Sequence, residues 1–244
     1  GHDGSYVSVV DLDRSELHSH PWSLNGGASS AVTTRIEAAA AKRLDGLLEV
    51  GIGGAIRAGA DEVYMRPRAL PREAKAADYV KKFVVGDGVR DYVDAGKQRI
   101  LFPYEPDLQP TSRLDKTLWQ WRSVLAARST FQGVMADAGL RWSEYMQFTR
   151  WSVRARMAIT FAFVATHNHF VLDRGGKVFN RSAPVIKLPK AASEQDHLDL
   201  LGVLNSSTAC FWLKQVSHNK GSTVDTKGAR QTQVPWKVFY ESTG

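Results

Sequence analysis

Residues 161–179 read FAFVATHNHFVLDRGGKVF, a His-Asn-His triplet set inside an apolar run. Ile, Phe, Val and Thr dominate from Ile159 to Leu172, which predicts a strand. Residues two apart on a strand share a face. His167 and His169 therefore line up with Ile159, Phe161, Phe163 and Val171, while Asn168 faces the other way with Val164 and Phe170. The Gly175-Gly176 pair in DRGGK predicts a hairpin turn, with VFNRSAPVIKL, residues 178–188, as the returning strand.

Two histidines on one face offer two metal ligands. A catalytic zinc site takes three protein ligands and a structural site four, usually with a carboxylate or thiolate among them. Within five residues of the pair only Asp173 supplies such a group, past the end of the strand. The letters HNH also name a nuclease class, but there they stand for residues far apart on a hairpin and a helix. The plainer reading is a polar, hydrogen-bonded pair at a strand edge without metal. A role beside a bound ligand stays open.

The 244 residues suffice for one large or two small domains, with the 43% hydrophobic and 23% charged content of an ordinary globular protein. Lys plus Arg is 32 against 25 Asp plus Glu, a net charge of +7 that favours a polyanionic partner. Cys210 is the single cysteine, so no disulfide forms within the chain, and a reducing, cytoplasmic compartment is expected. No run of 18 apolar residues occurs, so no membrane span is expected. The chain opens on GHDGSY, which reads as a piece of a longer protein with Gly1 and His2 left from cloning.

Three regions emerge. The first, 1–110, mixes short elements. AVTTRIEAAAAKRLDGLLEV, residues 31–50, reads as a helix stopped by Gly51, Gly53 and Gly54. ADEVYMRP alternates like a strand, and FVVGDGVRDY and QRILFPY add two extended pieces. The second region, 111–150, reads as a helical spacer: Ser112 and Asp115 form a capping-box pair, and Leu114, Leu118, Trp121 and Leu125 follow at helical spacing. Between Arg113 and Arg156 stand eight basic residues against Asp115, Asp137 and Glu144. The third region, 151–244, holds the quoted strand and a helix capped by Ser193 and Asp196, DHLDLLGVLNSSTACFWLKQV. A polar loop, SHNKGSTVDTKGARQTQVPWKVF, follows. The expected class is α+β, with two mixed lobes flanking the helical spacer.

Catalytic signatures are missing. There is no G-x-G-x-x-G after a strand, no G-x-x-x-x-G-K-[ST] and no G-x-S-x-G elbow. GIGG, residues 51–54, follows a predicted helix, where a C-cap is the simpler account. LFPYEPD resembles in outline the Asn-Pro-Pro-Tyr loop of amino-methyltransferases but lacks its Asn or Asp and its second Pro. Asp61 with Glu73 and Lys75 has the spacing of a nuclease core, but EAK sits in a helix-like stretch after Pro71 rather than on a strand.

GGAIRAGADEVYM, VVGDGVRDY, RILFPY, RWSEY, FVATHNHFVLDRGGKVFNRSAPVIKLP and LLGVLNSSTACFWLKQVSHNKG, in this order, resemble one family. It is the C-terminal part of the large adenine-specific DNA methyltransferases of phage defence, of the BREX or phage-growth-limitation type. More distantly the chain resembles the target-recognition domains of type IIG restriction-modification enzymes and type I specificity subunits. The resemblance runs from about Pro21 to the C-terminus. It implies a target-recognition domain that reads a short sequence in double-stranded DNA while an upstream methyltransferase domain of the same chain modifies an adenine. The family's S-adenosylmethionine loop and its Asn-Pro-Pro-Tyr loop are absent from this sequence, so the resemblance implies a reader with no catalytic residue and no cofactor of its own. S-adenosylmethionine would belong to the parent protein, whose partners would include other defence-system proteins.

Charge and position nominate Arg150, Arg154, Arg156, Lys214, His218, Asn219, Lys220, Lys227 and Arg230 as the DNA-facing set, with Gln231 and Asn219 able to bond base edges. Arg66, Arg68 and Lys81 of the first region are the fallback surface. Two other classes compete: a scaffold that docks partner proteins of a defence complex, and a free-standing nuclease using His167 and His169.

Overall fold

The computed structural model describes residues 2–4, 6, 8–9, 11, 14–17, 29–65, 77–224 and 230–233. The first region carries β1 (His2–Asp3), β2 (Ser8–Val9), α1 (Ser29–Ala39), β3 (Ile56–Arg57) and α2 (Asp61–Tyr64), then β4 (Val80–Val84), β5 (Val89–Arg90), β6 (Val93–Asp94) and β7 (Arg99–Leu101). Next come α3 (Asp115–Leu118), α4 (Arg122–Ala126), β8 (Ser129–Thr130), β9 (Gly133–Val134), β10 (Gln147–Phe148) and α5 (Arg150–Arg154). The third region adds β11 (Ala158–Phe161), β12 (Val164–Ala165), β13 (Phe170–Asp173), β14 (Lys177–Phe179), β15 (Val185–Ile186), α6 (Glu194–Leu204), α7 (Ser207–Val216), β16 (His218–Val224) and β17 (Arg230–Gln233). The class is α+β, as the sequence led us to expect.

Three small sheets organise the molecule. β11 lies antiparallel between β13 and β15. β4 pairs antiparallel with β7 and parallel with β14, so a strand of the third region joins a sheet of the first. β17 pairs with both β12 and β16. One buried cluster gathers Ile56, Tyr64, Phe83, Ile100, Leu114, Leu118, Leu125, Tyr145 and Val178, drawing on all three regions. Its aromatic centre stacks Tyr104 on Phe148 with ring centroids 4.1 Å apart and sets Tyr64 edge-on to Tyr145 at 5.2 Å. The Tyr64 hydroxyl donates towards the carbonyls of Ser143, at 3.1 Å, and Glu144. Burial pushes its pKa up to about 12, so it remains a donor at neutral pH. A second cluster packs Ile159, Phe161, Phe170 and Ile186 against Leu201, Leu204, Trp212 and Leu213 of α6 and α7.

Several elements differ from the sequence reading, each for a physical reason. The quoted stretch is not one long strand. It runs as β11 and β12, turns through the His-Asn-His triplet, and returns as β13 on β11. Gly175 and Gly176, both at positive φ, turn the chain as expected, but they deliver it to another sheet: β14 pairs with β4 and not with β13. The Asp173 carboxylate fixes this turn, accepting from the Gly175 amide at 3.0 Å and pairing with Lys177 at 2.8 Å. The helix expected over 31–50 ends at Ala39, and Leu44 is pulled into the second cluster beside Ile52. Residues 61–64 are helical where a strand was expected. Consecutive Val63 and Tyr64 are both buried, whereas a strand would send them to opposite faces. Within 111–150, α-helix is confined to α3 and α4; Asp115 bonds Arg141 at 2.6 Å and Ser143 at 2.9 Å rather than capping a helix. The helix after Ser193 is two helices: the capping box of Ser193 and Asp196 forms as expected, but Asn205 ends α6 and the Ser206 hydroxyl caps α7. Residues 218–233, expected as a loop, contain the β16–β17 hairpin.

Candidate nucleic-acid interface

The His-Asn-His triplet is a clamp on the joint between α6 and α7. The Asn168 side chain donates to the carbonyl of Leu204 at 2.6 Å, a group that the end of α6 leaves open, and to that of Ser206 at 3.2 Å, which also accepts from the Cys210 amide of α7 at 3.0 Å. Asn205 answers across the same seam: its oxygen accepts from the Phe170 amide at 3.0 Å and its nitrogen donates to the Phe170 carbonyl at 2.9 Å. The two stretches THNH and LNSS thus hold one another. His169 meets the Asp91 carboxylate through Nδ1 at 2.7 Å, and His167, exposed, meets the Thr166 hydroxyl at 3.0 Å. Their rings lie near each other, centroids 6.4 Å apart and planes tilted by 48°. Among the described residues no group of three His, Cys, Asp or Glu is placed to hold a metal ion. A small cavity borders His167, His169, Cys210 and Lys214.

This clamp positions the basic hairpin. β16 begins two residues after α7 ends, and β17 is tied to β12 through the pairs Val164↔Gln233 and Ala165↔Thr232. His218, Asn219 and Lys220 lie on β16 and Arg230 on β17, with His218 opposite Gln233, Asn219 opposite Thr232 and Val224 opposite Arg230. Lys214 is exposed near the end of α7. These five residues share one locus around β12. Lys227 lies outside the described residues, as do Arg66, Arg68, Glu73 and Lys75.

Arg150, Arg154 and Arg156 form a separate locus. All three are exposed. Arg150 and Arg154 sit one turn apart on α5, Arg150 with its guanidinium 5.6 Å over the Phe148 ring and Arg154 donating to the Asp107 carbonyl at 3.2 Å. They precede β11, while the hairpin docks beyond its far end, a separation on the order of 20 Å at strand rise.

The glycine-rich and Pro-Tyr stretches are framework. Gly53 exchanges backbone bonds with Val185, at 3.0 and 2.8 Å. Gly54, at φ +73°, has the Trp151 ring and Ser152 where a Cβ would stand, within 2.6 Å. Tyr104 is buried and accepts a bond from the Tyr145 amide at 3.1 Å. Neither stretch offers an open cradle or an exposed ring, so these residues do not fit an S-adenosylmethionine site.

Sequence reasoning missed Arg128. Its guanidinium, 7% exposed with the residue, donates to the carbonyls of Leu125 at 2.8 Å, Trp142 and Glu144 at 2.7 Å each, and Ala58. A lone Arg after Ala-Ala carries no mark of burial. It also missed the exposed pairing of Arg122 over Trp119, 4.8 Å to the ring centroid. The alternation of Trp and Arg in WQWR was the available signal.

No family model matches the chain. It is, however, related along its whole length to an adenine-specific methyltransferase. That relative is the protein called PglX of Streptomyces coelicolor, 42% identical over 256 aligned residues, and the chain spans 21% of its length. Among the described residues no helix is long and apolar enough to cross a membrane.

Proposed function

We propose that this chain is the DNA-reading part of a phage-defence adenine-specific DNA methyltransferase. It would hold a short double-stranded sequence while a methyltransferase domain elsewhere in the same protein, using S-adenosylmethionine, modifies an adenine. The observation that carries this reading is the pairing of β16 with β17: a two-stranded ribbon with Lys220 and Arg230 on its strands, tied to β12 through β17, with Lys227 between the two strands in sequence. The major groove admits such a ribbon. Lysines there would meet phosphates and set register, whereas Arg230, Asn219 and Gln231 have the groups that read base edges. The net charge of +7 and the relationship to an adenine-specific methyltransferase support the same reading. A cytoplasmic location goes with it.

A second reading has its own observation. α1, α6 and α7 line an apolar groove of about 950 Å³ that includes Leu47, Leu200, Val203 and Trp212. A groove of that kind suits a protein partner, as a scaffold of a defence complex would need.

The test is equilibrium binding of the chain to duplex DNA across salt. The proposed function predicts that log affinity falls linearly with log salt, by roughly 0.9 per phosphate contact. No binding at low salt, or binding indifferent to salt, removes it in favour of the scaffold.

A further inference from the structure

β8 and β9 form a hairpin closed by the pair Thr130↔Gly133, so only Phe131 and Gln132 make the turn. The turn is braced internally: the Thr130 hydroxyl donates to the Gly133 carbonyl and accepts from the Gln132 amide, each at 3.0 Å. Phe131 is 99% exposed, its whole ring in water. The base of the same hairpin is fixed in the core. Arg128 precedes β8 with its guanidinium spent on four carbonyls, and buried Met135 follows β9 with its amide bonded to the Arg128 carbonyl at 3.1 Å. Leaving a Phe ring in water forgoes roughly 2 kcal/mol of burial. A rigid mount for such a ring makes sense when the ring is covered by something else.

The surroundings say what that is. Trp119, 60% exposed, lies under the Arg122 guanidinium and edge-on to Trp142, whose carbonyl receives Arg128. Among the charged residues of the 113–156 segment, Arg128 is buried and Arg113 and Arg141 are paired with carboxylates. Arg122, Arg150, Arg154 and Arg156 are all exposed, and Asp137, against Gly133 of β9, is the exposed acid of the segment, so its exposed charge is mainly positive. Aromatic faces interleaved with cations suit stacked bases flanked by phosphates. A single planar ring on a two-residue turn has the shape of the apolar side chains that enter between base pairs.

Resting on the DNA-reading function proposed above, we infer that Phe131 is a wedge that enters the base stack of the bound duplex from the β8–β9 turn. Arg122, stacked on Trp119, meets the flanking backbone. The hairpin would open the stack beside the site that the basic ribbon reads, where a methyltransferase needs its target base out of the helix.

The experiment compares two duplexes of one sequence, intact and carrying a single abasic site, with the parent chain, Phe131→Ala and Phe131→Trp. A wedge pays to unstack an intact step and not an abasic one. The parent chain should bind the abasic duplex about tenfold more tightly, Phe131→Trp should keep that ratio, and Phe131→Ala should bring it to within about twofold of one. Because the ring is exposed, the thermal midpoints of all three should coincide. A parent chain without the preference, or an alanine variant that retains it, overturns the wedge while leaving DNA reading intact. A weakened attachment to the rest of the methyltransferase, with the DNA ratio unmoved, overturns it in favour of a protein contact. Absence of any salt-sensitive duplex binding by the parent chain sinks the DNA-reading function and the wedge with it.

Discussion

Two β-hairpins of this fold are held in opposite ways. β8–β9 is short, carries an uncharged turn, and grows out of a core where a buried guanidinium ties four carbonyls together. β16–β17 is longer, basic, and held by strand pairing to β12, behind a joint fastened by two asparagine amides. The difference is between a charge buried beneath one hairpin and a run of basic residues placed along the strands of the other. The same residue type serves both ends: Arg128 is structural because it is buried and donates to four carbonyls, and Arg230 is a candidate reader because it stands on the basic ribbon.

The comparison breaks most visibly at Arg128. Arg128→Met removes the donors and strands the carbonyls of Leu125, Trp142, Glu144 and Ala58, at a cost of about 3 kcal/mol or more. Urea unfolding should register that loss. Stability within about 0.5 kcal/mol of the parent would mean the mount is not held by this side chain.

At the other hairpin, Asn205→Ala leaves both polar groups of Phe170 without the side chain they share, costing about 2 kcal/mol. Hydrogen exchange should quicken at the Phe170 amide and along β16, while Met135 beside the first hairpin stays protected. Equal acceleration at both hairpins would show that the two are not independently fastened.

How much of this was legible in the sequence follows the range of the interactions involved. The capping box at Ser193 and Asp196 was readable because its partners are three residues apart, and so was the turn at Gly175-Gly176. The partner of β14 was not, because the choice between β13 and β4 is made by a strand almost a hundred residues away. The Asn-Ser-Ser break between α6 and α7 was a local signal passed over, since the apolar pattern runs across it without a change of period. His167 and His169 drew attention as chemistry, yet the side chain that organises their turn is Asn168 between them. Of the nominated site, the residues on and near the ribbon come together, while the α5 arginines stand apart.

Smaller effects sharpen the charge side. Lys220→Ala and Lys227→Ala should each flatten the salt dependence of duplex binding by up to roughly one unit of slope, whatever the sequence of the duplex. Arg230→Ala should cost roughly 1–3 kcal/mol on the preferred sequence alone if it reads a base. Binding isotherms at several salt concentrations measure both.

Acid gives the smallest signal. The Ser193 hydroxyl, then its amide, hold the Asp196 carboxyl below the usual range, and the Thr111 hydroxyl, then Tyr79 and Arg113, do the same for Glu105. A depressed folded pKa contributes stability that is fully present above the unfolded value, about 4, and is lost as pH falls through the folded one. Asp61, raised by burial, works in the opposite sense. Unfolding free energy should therefore hold level from neutral pH to about 5 and decline below it, with Ser193→Ala shrinking the decline. An unchanged acid slope in that variant would remove Asp196 from the account.

The central claim, that this chain chooses the DNA sequence, is tested most directly by exchange. The segment would be replaced, in the full-length protein, by the aligned segment of PglX from Streptomyces coelicolor, and any methylated adenines mapped by sequencing. If the chain reads the DNA, the methylated sequence follows the exchanged segment while the modified base stays adenine. Methylation of the original sequence by the exchanged protein would contradict it.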